Sequence, residues 1–262
     1  FKMLRSRLIP CLLLKNKSLV KTIRFDKFEY VGDPCNTVKI FNELEIDEVI
    51  IFDIDASKNK KSPNFDLIKN LANECFMPLS YGGGIDSIDH AKKLFDLGIE
   101  KISLNTSAIY QPNLVDQLAK VYGSQAIIGC IDIKKNMLGV KKVWSHAGGV
   151  NTKKNPIEWA LELEDRGVGE IFLTSVDNEG TWKGLDLDMI NEISNSVYIP
   201  LIAHGGAGRF SHVKDAIYKS GASAVALGNM VVYQKQNMGI LINFPDKEKI
   251  NELNFSMDKL IK

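Results

Sequence analysis

Pro78-Leu79-Ser80-Tyr81-Gly82-Gly83-Gly84 and Pro200-Leu201-Ile202-Ala203-His204-Gly205-Gly206 lie 122 residues apart in this chain. Each is a short apolar run closed by a glycine cluster and followed by a segment of helical period. Asp47-Glu48-Val49-Ile50-Ile51-Phe52-Asp53 and Gly169-Glu170-Ile171-Phe172-Leu173-Thr174-Ser175 repeat at the same offset. Both glycine clusters are later followed by a helix-ending glycine, Gly98 and Gly221. A period of about 120 residues is too long for a solenoid unit. It fits two fused halves of four strand–helix units each.

Working outward, apolar runs near 8–14, 49–54, 78–81, 101–105, 126–133, 170–175, 199–203 and 223–228 read as strands. They are rich in Ile, Leu and Val without polar alternation, as expected of strands covered on both faces. Amphipathic segments near 35–46, 64–75, 86–98, 112–122, 155–167, 186–196, 210–220 and 233–243 read as the intervening helices. Eight strands alternating with eight helices predict a parallel sheet, and about 250 residues is the usual length of a closed (β/α)8 TIM barrel. The expected organisation is one barrel domain over 1–262, with half-barrels near 1–122 and 123–245 and a helical tail after 245.

Two connections exceed a simple turn, residues 15–34 with five basic side chains and residues 134–152. The second is read as a small hairpin with Val140–Trp144 as one strand. Both follow strands and so belong to the face of a barrel that carries chemistry.

Composition narrows the function. The 33 basic and 32 acidic residues nearly cancel, which argues against nucleic acid or an anionic membrane as the main partner. No apolar stretch reaches the ~18 residues of a membrane span. The short run Leu8 to Leu14 ends at Lys15 with no cleavage pattern, so no signal peptide is read. The four cysteines, at 11, 35, 75 and 130, form no CxxC pair. They read as reduced thiols of a cytoplasmic protein, and neither a metal nor a cofactor is implied.

The glycine clusters point to anions. Backbone N–H groups of Gly83 and Gly84, and of Gly205 and Gly206, approach phosphate oxygens closely where no side chain intervenes. Asn105-Thr106 and Gly228-Asn229 follow the next strands round the rim and can complete each cup. Two corners on opposite sides of one mouth suggest a small substrate with a phosphate at each end. Among the histidines, His90 and His212 read as surface residues of helices. His146 lies near the second long connection, and His204 is the one expected in the site, either donating to a phosphate or packing.

Ile9-Pro10-Cys11-Leu12, Tyr81-Gly82-Gly83-Gly84-Ile85, Ser103-Leu104-Asn105-Thr106, Phe172-Leu173-Thr174-Ser175 and Ala203-His204-Gly205-Gly206-Ala207-Gly208 resemble the cyclase subunit of imidazole glycerol phosphate synthase, a likeness that runs to about residue 240. The resemblance implies a glutaminase partner on the N-terminal face of the barrel. Ammonia passes from it through a gate of four charges, matched here by Arg7, Glu48, Lys101 and Glu170. It implies catalytic roles for Asp132 and Lys21, and substrate contacts from Asp177 and Gly180 as well as from the two corners. The family also places an aspartate late in the first strand as the acid–base partner of the Asp132 position. That position is Leu13 here, and losing one member of such a pair removes a factor of about 10²–10⁴ in rate. Glu179 stands where the family has aspartate, His204 where it has a small hydroxyl residue, and Asp53 is retained.

The run from Ile9 to Lys15 is similar to a paralogous branch associated with acetamidino modification of surface sugars, alongside a glutaminase-like partner and an ATP-dependent sugar amidotransferase. Three readings follow. The chain is an ammonia-handling subunit in sugar amidination, an authentic cyclase of histidine biosynthesis, or a non-catalytic phosphosugar-binding activator of the glutaminase.

Overall fold

A computed structural model describes residues 5–145 and 148–259; His146 lies outside them. In chain order, β1 (Arg7–Lys15) is followed by the hairpin strands β2 (Ser18–Ile23) and β3 (Lys27–Gly32) and by α1 (Pro34–Glu43). Then come β4 (Val49–Asp53), α2 (Phe65–Glu74), β5 (Leu79–Gly82), α3 (Ile88–Asp96), β6 (Lys101–Leu104), α4 (Thr106–Tyr110) and α5 (Pro112–Tyr122). The second half holds β7 (Ile127–Lys135), β8 (Lys141–Ser145), β9 (Val150–Asn151), α6 (Pro156–Asp165), β10 (Glu170–Ser175) and α7 (Leu187–Ser194). It ends with β11 (Leu201–His204), α8 (Phe210–Tyr218), β12 (Ala224–Leu227), α9 (Asn229–Val232) and α10 (Lys247–Lys259).

Strands β1, β4, β5, β6, β7, β10, β11 and β12 pair in parallel in that order, and β12 returns to β1, closing a (β/α)8 barrel. Helices α1, α2, α3, α6 and α7 begin where a side chain accepts from a free N–H. Asp33 accepts from Asn36 N–H at 2.8 Å ahead of Pro34, and Asn155 accepts from Ile157 N–H at 2.8 Å ahead of Pro156. Proline at the first helical position gives up only a donor that would be unpaired.

Apolar side chains divide into two shells. One lies between sheet and helices and includes Phe41, Leu94 and the fully buried Trp159. The other fills the barrel axis with Ile9, Cys11, Leu13, Ile50, Ile128, Cys130, Phe172, Ile202 and Ala226. Burial on both faces is why these strands carry no polar alternation. Pairings recur 122 residues on. Val49 faces Leu79 and Ile50 faces Ser80, while Ile171 faces Leu201 and Phe172 faces Ile202.

The connection after β1 is a hairpin, with β2 antiparallel to both β1 and β3. The connection after β7 is a second one, in which β7 runs on to pair with β8 and β8 with β9. One expected helix is absent. Residues 233–243 form no helix: after α9, Tyr233 bridges to Ile240 in antiparallel fashion, and Gln234 N–H donates to Gly239 carbonyl at 3.1 Å. Asn237 adopts a left-handed φ of 62°, and with Gly239 it turns the chain back on itself. Only the short α9 follows β12 before this segment, and α10 lies where a helical tail is expected after 245. Among the described residues no helix is long and apolar enough to cross a membrane.

Candidate functional site

The C-terminal ends of the barrel strands surround a cavity of about 130 Å³ lined by Leu13, Asp53, Gly83, Asn105, Asp132 and His204. Asp132, on β7, is 8% exposed. Asn105 Nδ2 donates to its Oδ2 at 2.7 Å. Burial pushes the Asp132 carboxyl up to about 7, while hydrogen bonds from Asn105 and Thr174 pull it back and the charge of Glu179 adds to the rise. It is therefore poised near neutrality, where a general acid–base works best.

Thr174 Oγ1 lies 3.3 Å from His204 Nδ1, so a hydroxyl links Asp132 to the imidazole. Burial, and next the nearby Lys21 charge, push His204 down to about 3, leaving it neutral. Leu13 lines the same cavity from β1 and packs into the axial apolar shell. It offers no proton. Asp53 also reaches the cavity, but its Oδ1 accepts from the N–H groups of Asp55 and Ala56 at 3.1 and 3.0 Å, which braces the loop after β4.

Both glycine corners form. Gly83 and Gly84 have φ of 119° and 71°, and Gly205 and Gly206 have 95° and 104°. A Cβ on Gly83 would run into the Asp53 carbonyl, and one on Gly84 would come within 2.5 Å of the Lys61 carbonyl. Only glycine fits there. Gly83, Gly84, Asn105 and Thr106 line the large cavity. Gly180, Gly205, Gly206, Gly228 and Asn229 line a separate small one, together with Lys21 and Glu179. His204 borders both. Lys21 is thus placed at the second corner and not in the Asp132 cavity. Asp177 lines neither cavity. Its carboxylate accepts from Lys135 N–H at 2.9 Å and its carbonyl accepts from Arg24 Nε at 3.1 Å, tying the loop after β10 to both hairpins.

At the opposite end of the barrel Arg7, Glu48, Lys101 and Glu170 form a ring. Arg7 donates to Glu48 at 3.1 Å and to Glu170 at 2.9 Å. Lys101 lies 3.2 Å from Glu170 Oε2, which has no aligned hydrogen bond. The Lys101–Glu170 contact is thus an ion pair without an aligned hydrogen bond. Burial pushes Glu48 upward, and Arg7 and Lys101 oppose that shift.

A family model described as histidine biosynthesis protein matches residues 7–237. The chain belongs to that family. Its relatives include a Pseudomonas aeruginosa protein provisionally named imidazole glycerol phosphate synthase subunit hisF2, 46% identical over 95% of this chain and 99% of the relative. A Leptospira borgpetersenii protein provisionally named as the HisF subunit is 44% identical over the same shares. Imidazole glycerol phosphate synthase subunit HisF of Campylobacter concisus is 43% identical over 83% of this chain and 86% of its own.

Within this histidine biosynthesis family member, three supports of the site escape a reading by sequence alone. His90 is partly exposed rather than free on the surface: its Nδ1 lies 3.2 Å from Gly84 carbonyl and 2.9 Å from Asp86, and its ring lies beside Phe65. His212, at the equivalent place in the second half, bonds its own loop in the opposite sense, accepting from Gly208 N–H at 3.2 Å. The two histidines stand 122 residues apart, so the repeat itself held the signal. Thr174, the link between Asp132 and His204, carried no such mark.

Proposed function

We propose that this chain is the barrel subunit of a glutamine-amidotransferase system, acting in the cytoplasm on a surface-sugar precursor. A glutaminase docks on the face that carries the charged ring. Ammonia enters between Arg7, Glu48, Lys101 and Glu170, crosses the barrel axis, and meets a phosphorylated acceptor at the mouth.

The ring is the observation that carries this reading. Four partly buried charges sit at the end of the barrel remote from the mouth, where packed apolar residues of similar volume stabilise a fold as well or better. Retention of all four is accounted for by a role in passage. Between ring and mouth the axis is filled by the apolar side chains of Ile9, Cys11, Ile50, Ile128, Cys130 and Phe172, past which ammonia would move. Burial pushes the Cys11 thiol up to about 12 and Cys130 also upward, so both stay neutral. Such a lining favours neutral ammonia over ammonium, since a charge gains nothing there to replace its water. At the mouth Asp132 can take the proton that the attacking nitrogen sheds, with Asn105 fixing the carboxylate.

Leu13 separates amidination from cyclisation, because ring closure in this family uses two carboxylates and only Asp132 is retained. The poised Asp132 and the relatives' names favour a second reading, an authentic imidazole glycerol phosphate cyclase. Ammonium salts with the cyclase's substrate distinguish the two. The expected result is no turnover by the native chain, and its appearance in Leu13→Asp. Native turnover that Asp132→Asn abolishes would establish the cyclase instead. Stimulation of the glutaminase with no nitrogen transferred to any acceptor would leave only an activator role.

A further inference from the structure

The two glycine corners share a backbone and differ in what fills them. The first opens on about 130 Å³. The second encloses about 10 Å³, roughly the room of a single water molecule. A phosphate does not fit there. The space is taken by Glu179, 1% exposed, and Lys21, 6% exposed.

Glu179 is fixed from several sides. Its Oε1 receives Lys21 Nζ in an ion pair, and its Oε2 accepts from Phe25 N–H at 3.2 Å. Its carbonyl accepts from Arg24 N–H at 3.0 Å. The stem of Lys21 runs against the bare backbone of Gly228, where an added Cβ would meet Cε at 2.8 Å. Asn229, 6% exposed, donates through Nδ2 to Gly180 carbonyl at 3.0 Å, while its Oδ1 has no partner among the described residues. The β2–β3 hairpin thus closes over the second corner, carrying a cation to a carboxylate held in the place of an anion.

We infer that Glu179 is a built-in occupant of the second corner, an internal surrogate for a phosphate, and that this chain takes a substrate with one phosphate end only, held by Gly83, Gly84, Asn105 and Thr106. The inference deepens the proposed function and rests on its reading of the mouth as a phosphorylated-acceptor site. An incoming phosphate at the second corner would have to displace Glu179 from Lys21, and a buried charge stripped of its partner is strongly unfavourable. A substrate with a phosphate at each end therefore gains from one corner alone.

Inorganic phosphate is the probe, titrated by calorimetry against the whole chain and against Glu179→Ala. One phosphate per native chain is expected, rising to two in Glu179→Ala, where Lys21 becomes a free cation beside an opened space. Two phosphates on the native chain would overturn the inference and leave the mouth reading standing. None on either protein would overturn both. Should Glu179→Ala fail to fold, the native stoichiometry decides alone, since one site supports a filled corner and two sites exclude it.

Discussion

Replacing Asp132 with asparagine should abolish proton transfer at the mouth and stabilise the fold at the same time, in a pH-dependent way. The carboxyl is raised from 3.8 to about 7, chiefly by burial. A carboxyl whose folded-state value lies above its unfolded one contributes stability that is complete below about 4 and is lost as pH rises through 7. The span of about three pH units at about 1.4 kcal/mol each gives about 4 kcal/mol as the full cost of ionising Asp132 in place. Asparagine has the same shape, can still accept from Asn105 through its amide oxygen, and never ionises.

Urea denaturation of both proteins at half-unit steps from pH 4.5 to 8.5 checks this. The stability of Asp132→Asn relative to the native chain should rise by about 1 kcal/mol per pH unit and level off above pH 7. A difference that stays flat with pH, or that moves against Asp132→Asn as pH rises, would refute the assignment of Asp132 as a buried, poised acid.

Two further perturbations probe the ends of the barrel. Lys101→Met should change stability little, because Glu170 keeps Arg7 at 2.9 Å. It should raise the ratio of glutamine hydrolysed to nitrogen transferred several-fold, and unchanged coupling would count against the ring as a gate. Lys21→Met leaves Glu179 buried without its cation and should destabilise by about 3–5 kcal/mol. Adding Glu179→Leu to it should restore most of that loss in a thermal melt.

The barrel was legible because its eight parallel strands are buried on both faces and its helices carry polar caps. Both properties are local and leave marks on neighbouring residues. Asp132, Leu13 and the four ring charges were singled out by the resemblance and not by any local pattern, and they lie within strands except Glu48, which directly precedes β4. The contents of the second corner were not legible. Lys21 and Glu179 are 158 residues apart, and they meet only because the connection after β1 folds as a hairpin across the mouth. The sequence placed this basic connection at the chemical face, but did not show that Lys21 turns inward to an internal partner, Glu179. The missing helix at 233–243 has a different cause. Tyr233, Met238, Ile240 and Leu241 mimic a helical spacing, but the turn at Asn237 and Gly239 folds that segment into a bridge. His90 and His212 recur at the repeat's offset, but their partners, the Gly84 carbonyl and the Gly208 N–H, are backbone groups of loops whose direction the side-chain pattern does not state.

Passage of ammonia through the barrel is tested most directly by isotope retention. The chain, its glutaminase partner and the sugar-modifying reaction would be run with glutamine labelled with ¹⁵N in the amide, in a large excess of unlabelled ammonium. Product that keeps the glutamine label, undiluted by the bulk pool, is the expected result. Product carrying the isotope ratio of the bulk ammonium would contradict transfer through the ring of Arg7, Glu48, Lys101 and Glu170.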